Sequence, residues 1–218
     1  MKGLNLVFLG PPGAGKGTQA QRISERFGLV WICAGDMLRQ AVAKGNQIGK
    51  KVEAYLKKGE LVPDEIVLHL ISERLNEIKN EGFILDGFPR TVKQAMALDE
   101  LLDKKKIALR AVIFLDVPDE EIVRRLSARR ICPSCGAVYN MIFNPPREDE
   151  KCDRCGTPLI RRKDDEPETI RNRLRIFHEQ TLPLIEYYQR KGLLRRISGT
   201  GNPDQVTEEI EKVLKELS

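Results

Sequence analysis

The chain of 218 residues contains two histidines and one tryptophan, and aromatic residues make up only 6% of it. So little histidine argues against a mechanism that relies on imidazole as general base. His69 and His178 both fall in segments of helical spacing, where structural or solvent-facing roles are expected. The low aromatic content leaves few residues for the stacking platforms on which nucleic-acid bases lie. No apolar run approaches the ~20 residues that a bilayer-spanning helix needs. The run at residues 4–9 is interrupted by Asn5 and stopped by Gly10-Pro11-Pro12, short of a signal-peptide core and without a cleavage pattern. A cytoplasmic monomer with no membrane and no nucleic-acid partner is the expectation. Cysteine is scarce and odd in number, five in all, yet four of the five stand as two tight pairs. In a reducing compartment that pattern points to metal rather than to disulfides.

What is present is a mixed, foldable composition, 41% hydrophobic and 32% charged, with 37 Lys and Arg against 32 Asp and Glu. The formal charge of +5 favours anionic ligands without requiring nucleic acid. Short apolar segments at 4–9, 29–32, 83–85, 111–115 and 193–197 read as strands. Between them, 19–27, 36–43, 64–79, 92–102, 120–130 and 168–190 carry apolar residues at helical spacing, and 203–217 closes the chain as a last helix. Alternation of this kind predicts an α/β fold, a parallel five-stranded sheet flanked by helices. Two stretches break the rhythm. Residues 130–165 are rich in Pro, Gly, charge and cysteine, and residues 33–64 hold two short helical pieces around Gly45, Gly49 and Gly59. Both are expected to be small inserted domains in a core made of 1–32, 65–129 and 166–218.

The strongest motif is Gly10-Pro11-Pro12-Gly13-Ala14-Gly15-Lys16-Gly17-Thr18, placed between an apolar strand and an amphipathic helix. This is a P-loop in its required context: glycines let backbone N–H groups turn inward around phosphates, the helix start adds its dipole, and Lys16 supplies a point charge. Gly17 stands in the usual Ser/Thr place, so Thr18 becomes the hydroxyl candidate beside Mg²⁺. A phosphate-transfer site also wants a strand-end aspartate for that metal. Asp86 is preferred, because Gly87-Phe88-Pro89-Arg90 follows it with a close-approach glycine and a planar fork for phosphate. The competing Asp116 leads only into a helix start and reads as a helix-capping residue.

Cys132-Pro-Ser-Cys135-Gly136 and Cys152-Asp-Arg-Cys155-Gly156 form two C-x-x-C-G knuckles at the separation of a four-cysteine zinc site. Four thiolates fill a tetrahedral shell and leave no position for substrate, so the zinc is expected to be structural. It would hold a segment too small to build its own core. Disulfides or a redox pair are the alternatives. Cys33, at a strand end, reads as a small buried residue, and Trp31 as core.

Together the P-loop, Gly35-Asp36-Met37-Leu38-Arg39, Asp86-Gly87-Phe88-Pro89-Arg90-Thr91 and the arginines around the insertion resemble adenylate kinase, over nearly the whole chain. The resemblance implies a P-loop nucleotide kinase fold with a monophosphate-binding insertion at 33–64 and a zinc-bearing lid at 130–165. It implies ATP with Mg²⁺ as donor, AMP as acceptor and two ADP as products. On the ATP side it implies Gly13, Ala14, Gly15, Lys16, Gly17, Thr18, Arg125, Arg129 and Gly201, with Val138 and Tyr139 over the base. On the AMP side it implies Ala34, Arg39, Glu60, Leu61, Val62, Gly87, Phe88, Pro89, Arg90, Arg162 and Arg173, with Gln94 on the adenine. The catalytic group would be Lys16, Asp86, Arg90, Arg129, Arg162 and Arg173. Arg125 and Arg129 stand four apart in the helical segment 120–130 and are expected on one face.

One position departs from the family pattern. Where adenylate kinases usually read Ser-Thr-Gly-Asp, this chain reads Cys33-Ala34-Gly35-Asp36, so a hydroxyl near the acceptor is missing. A kinase for another monophosphate is therefore the alternative enzyme, against which Gln94 and the long lid both count. A zinc-ribbon nucleic-acid-binding ATPase is the alternative of a different class, with little aromatic content to support it.

Overall fold

The computed structural model describes residues 3–45, 47–79 and 81–217. Five strands, β1 (Asn5–Leu9), β2 (Val30–Cys33), β3 (Phe83–Asp86), β4 (Ala111–Asp116) and β7 (Leu194–Ser198), form one parallel sheet in the order β2-β3-β1-β4-β7. Every residue of β1 is buried, as expected of a central strand covered on both faces. Its alternate side chains divide the core: Leu6 and Phe8 join Ile84, Ile113 and Leu115 on one face, while Val7 and Leu9 join Leu85, Val112 and Phe114 on the other.

The first face is covered by α1 (Lys16–Phe27), α6 (Asp119–Ser127), α7 (Pro167–Ile176) and α9 (Pro203–Glu216). The second is covered by α2 (Ala34–Ala43), α4 (Asp64–Glu77), α5 (Val92–Lys104) and α8 (Leu184–Arg190). α3 (Gln47–Lys58) packs on α2, and its Val52 is fully buried. Two helix starts are fixed by side-chain caps: Thr91 accepts from the Gln94 N–H at 3.1 Å, and Asn202 from the Asp204 N–H at 2.8 Å.

Two helical expectations are corrected. The segment 120–130 does not stay helical to its end: α6 stops at Ser127, and β5 (Arg129–Ile131) pairs antiparallel with β6 (Val138–Asn140). β-branched Ile131 and the cysteine knuckle after it favour the hairpin, so Arg125 and Arg129 lie on different elements rather than on one helix face. The segment 168–190 is likewise not one helix, because a π-helical turn at Phe177–Thr181 separates α7 from α8 and precedes Pro183, which cannot continue a helix from within.

The segment 130–165 has its own small core of Cys132, Ala137, Tyr139, Cys152 and Leu159. It ends in a 3-10 turn, Lys163–Asp165, that feeds α7.

Candidate active site

The loop between β1 and α1 carries Gly10, Gly13 and Gly15 in the left-handed half of backbone space, where a side chain would be strained. At Gly13 a Cβ would also run into Leu126, with Cγ at 2.8 Å. Lys16 opens α1 and turns back over this loop, its Nζ donating to Gly10 O at 2.7 Å and Pro11 O at 2.8 Å. The residue as a whole is half-buried. Burial lowers its pKa to about 8; Asp86 pulls it up, and Arg90 and Arg173 push it down.

Asp86 ends β3 and is only 6% exposed. Burial raises its pKa against the opposing pull of Lys16 and Arg90. A Cβ placed on Gly17 would lie 3.5 Å from Asp86 Oδ2, so the carboxylate rests against the first turn of α1 beside the exposed Thr18. The competing aspartate, Asp116, is at the rim and pairs with Arg196 at 2.8 Å. It does not cap α6, whose N-cap position is Pro118 with no side-chain cap; the capping expectation is corrected.

Beside Asp86 a cleft open to solvent runs between α2, α3 and the β3–α5 loop. Of the expected acceptor-side residues, Ala34, Arg39, Glu60, Leu61, Val62, Gly87, Arg90, Gln94 and Arg173 line it. Phe88 and Pro89 do not; both are buried beneath the loop, Phe88 in the sheet core. Arg162 also stands outside the lining. Asp164 lines the cleft too, and the sequence reading missed it.

The arginines converge on four aspartates, of which the sequence singled out only Asp86 for a role in the site. Arg39 pairs with Asp36, three residues earlier on α2. Arg90 donates from Nε to Gly87 O at 2.9 Å, and burial lowers its pKa. Arg129 holds Asp165 through Nε at 2.7 Å and Nη2 at 2.5 Å. Arg173 reaches Asp164 Oδ2 at 3.2 Å and Asp165 Oδ1 at 3.3 Å, and burial brings its pKa to about 10. Arg162 is also lowered to about 10, by burial and then by Arg129 and Arg39; its buried Nε has no partner. Burial works to raise the Asp164 pKa, but Arg173, Arg129, Arg162 and Arg39 together hold it below the ordinary value. A signal for this pair was present in Arg162-Lys163-Asp164-Asp165, an acidic doublet next to an expected phosphate ligand.

On the other side of the P-loop, Arg125 pairs with Glu121 at 2.9 Å and points Nη1 at Ala14 O, 3.5 Å away. Gly201 lies in the exposed loop before α9, and Gly199 just ahead of it is so close to Val117 that a Cβ would meet it at 2.5 Å. Val138 is 49% exposed, whereas Tyr139 is turned into the small core, its hydroxyl 3.5 Å from Cys152 Sγ and accepting from the Asp153 N–H at 2.8 Å. Cys33 is half-buried at the end of β2 opposite Asp86, and burial pushes its thiol pKa up. Trp31 is half-buried against the α1 face of the sheet. His69 and His178 are exposed, His178 paired with Asp119 at 2.8 Å.

The four cysteines Cys132, Cys135, Cys152 and Cys155 bring their sulfurs within 4.8 Å of one another. The closest pairs, Cys132 with Cys155 at 3.4 Å and Cys135 with Cys152 at 3.5 Å, are too far apart for a disulfide of about 2.05 Å. They are close to the ~3.8 Å edge of a tetrahedron with zinc–sulfur bonds of about 2.3 Å. Gly136 and Gly156 have φ of +74° and +72°, and their N–H groups return to the carbonyls of Cys132 and Cys152. The donor set fits zinc.

No helix among the described residues is long and apolar enough to cross a membrane. Residues 8–193 match the family model described as adenylate kinase. An adenylate kinase of Archaeoglobus fulgidus is 54% identical over 215 residues, covering 98% of this chain and 99% of the relative. Those of Thermodesulfovibrio yellowstonii and Thermotoga neapolitana are 50% identical over 214 residues and 51% identical over 211, covering 97% and 99%, and 96% and 96%, of the two chains respectively.

Proposed function

The chain belongs to the adenylate kinase family, and on that premise we propose how its residues divide the work of moving a phosphoryl group reversibly from ATP to AMP to give two ADP. The observation that carries the reading is the meeting of a P-loop lysine and a separate cleft across shared cations, Arg90 and Arg173. Both line the cleft, and both act electrostatically on Lys16.

AMP occupies the cleft with its base toward Gln94 and its phosphate among Arg39, Arg90 and Arg173. The triphosphate of ATP lies in the P-loop, with Arg125, Arg129 and Arg162 over it and Val138 toward the base. A monoester phosphate with second pKa near ~6 is already largely dianionic at neutral pH, so no general base is needed. Its oxygen forms a bond to the γ-phosphorus as the bond to the β–γ bridging oxygen breaks, and ADP leaves. Lys16 and the arginines follow the charge as it spreads over the transferring group, which is where phosphoryl-transfer enzymes gain most of their rate. Thr18 and Asp86 would hold Mg²⁺, directly or through water. The metal supplies charge neutralisation between the phosphates when bound.

The segment 130–165 serves as a lid that closes over the nucleotides and excludes water, with zinc holding its shape. The segment 33–64 is the acceptor domain, and the remainder is the core. A cytoplasmic, monomeric enzyme completes the proposal. A coupled assay with ATP and Mg²⁺ against AMP, dAMP, GMP, CMP and UMP tests it. AMP should be preferred in kcat/KM; preference for UMP or CMP would transfer the reading to another monophosphate kinase.

A further inference from the structure

Gln94 is 2% exposed, yet its side chain lines the cleft. Its Oε1 accepts from the Arg90 backbone N–H at 2.7 Å, and its Nε2 donates to Asp64 Oδ1 at 2.7 Å. A primary amide has nearly the same shape after a half-turn that exchanges O and NH₂, so packing alone does not fix which end is which. The partners do. A backbone N–H only donates and a carboxylate only accepts, so the half-turn would set N–H against NH₂ and carboxylate against carbonyl. After these two bonds Gln94 keeps one lone pair and one N–H hydrogen for a ligand.

Asp64 is itself well placed to hold this orientation. It is the first residue of α4, where the helix dipole favours a negative charge, and Lys93 Nζ stands 3.8 Å from its other oxygen. It is not among the residues lining the cleft, so it acts through Gln94 rather than on a ligand.

We propose that Asp64 is a specificity-determining positioning residue: it locks the Gln94 amide in the one orientation that reads an acceptor next to an amine donor on the base. This rests on the reading of the cleft as the acceptor site. Adenine offers that edge, with N1 as acceptor and the 6-amino group as donor. Hypoxanthine and guanine offer the reverse, N1–H and a carbonyl oxygen, and are accepted only if the amide turns over. Cytosine has the same polarity as adenine, so the lock leaves cytosine to be rejected by the size of the site.

The test compares AMP, IMP and CMP in wild type, Asp64→Asn and Gln94→Ala, by kcat/KM with saturating ATP and by calorimetric titration of each monophosphate. Asparagine can turn either end toward Gln94 and so removes one of the two clashes that oppose the half-turn. Asp64→Asn should lower the AMP/IMP ratio about tenfold, chiefly through KM, with the AMP/CMP ratio changing by less than about twofold and the KM for ATP unmoved. Asp64→Ser, whose hydroxyl donates or accepts, should do the same and serves if the first variant folds poorly. If Gln94→Ala leaves the AMP/IMP ratio as it was, the acceptor-site reading itself fails. If Gln94→Ala collapses the ratio while both Asp64 variants preserve it, the lock is overturned and the site reading stands. An equal loss for AMP, IMP and CMP in the Asp64 variants would also overturn the lock, since that is the mark of a purely structural contact.

Discussion

Arg129 and Asp165, 36 residues apart, clamp together the two points where the chain enters and leaves the small cysteine-bearing segment. Arg129 begins the β5–β6 hairpin, and Asp165 ends the turn that leads into α7. The Asp165 side chain is wholly buried and takes two hydrogen bonds from Arg129 and one from Arg173. Removing this charge leaves the mostly buried Arg129 guanidinium without its anion and Arg173 with Asp164 alone. Asp165→Asn is expected to lower stability by about 3 kcal/mol. Denaturant unfolding measures it, and a loss below about 1 kcal/mol would show the clamp to be dispensable.

Lys16 should make nucleotide binding depend on pH in a defined direction. Its pKa in the free protein is lowered to about 8, and a bound triphosphate must raise it again by adding negative charge beside the ammonium. Below pH 8 lysine is charged before and after binding, and affinity is flat. Above it, binding takes up a proton and ATP affinity falls, approaching tenfold per pH unit. The same shift lowers stability at neutral pH and relieves that cost as pH rises from about 8 toward the unfolded value of 10.5. Calorimetry in two buffers of different ionisation enthalpy reads the proton uptake, which Lys16→Met should abolish while keeping native circular dichroism and losing mainly kcat.

Zinc removal is expected to act on shape before chemistry. Protein purified with zinc under reducing conditions should carry about one metal per chain. Chelation or Cys152→Ala should then raise hydrogen exchange in residues 130–165 and lower the thermal midpoint more than it lowers activity at mild temperature. Loss of activity with unchanged stability would contradict a structural role.

Gly59, in the loop after α3, approaches α7 closely. It has φ of +70°, and a Cβ there would lie 2.8 Å from Arg173 Cγ and 3.0 Å from Thr169 Cγ2. Gly59→Ala is expected to cost about 1–2 kcal/mol through backbone strain and to raise the KM for AMP, because Arg173 must shift. An unchanged KM for AMP would separate Arg173 from the acceptor phosphate.

Much of this architecture followed from local signals. The alternation of short apolar runs with helical periodicity specified a parallel sheet, since strands buried on both faces must read as continuous apolar runs. The spacing of Gly13, Gly15 and Lys16 specified a glycine-rich turn between strand and helix with the lysine folded back over it, since only glycine takes those positive φ values without strain, and the doubled C-x-x-C-G brought the four cysteines together. Tertiary structure alone decided the rest. Arg129 looked helical by its distance from Arg125, but pairing with the strand at Val138–Asn140 drew it into a hairpin, because nonlocal hydrogen bonds outweigh weak helix propensity. Asp64, Asp164 and Asp165 bear no motif of their own. Their partners stand 30, 9 and 36 residues away, in Gln94, Arg173 and Arg129, and a carboxylate acquires such contacts only when folding brings its counter-charge or donor within reach.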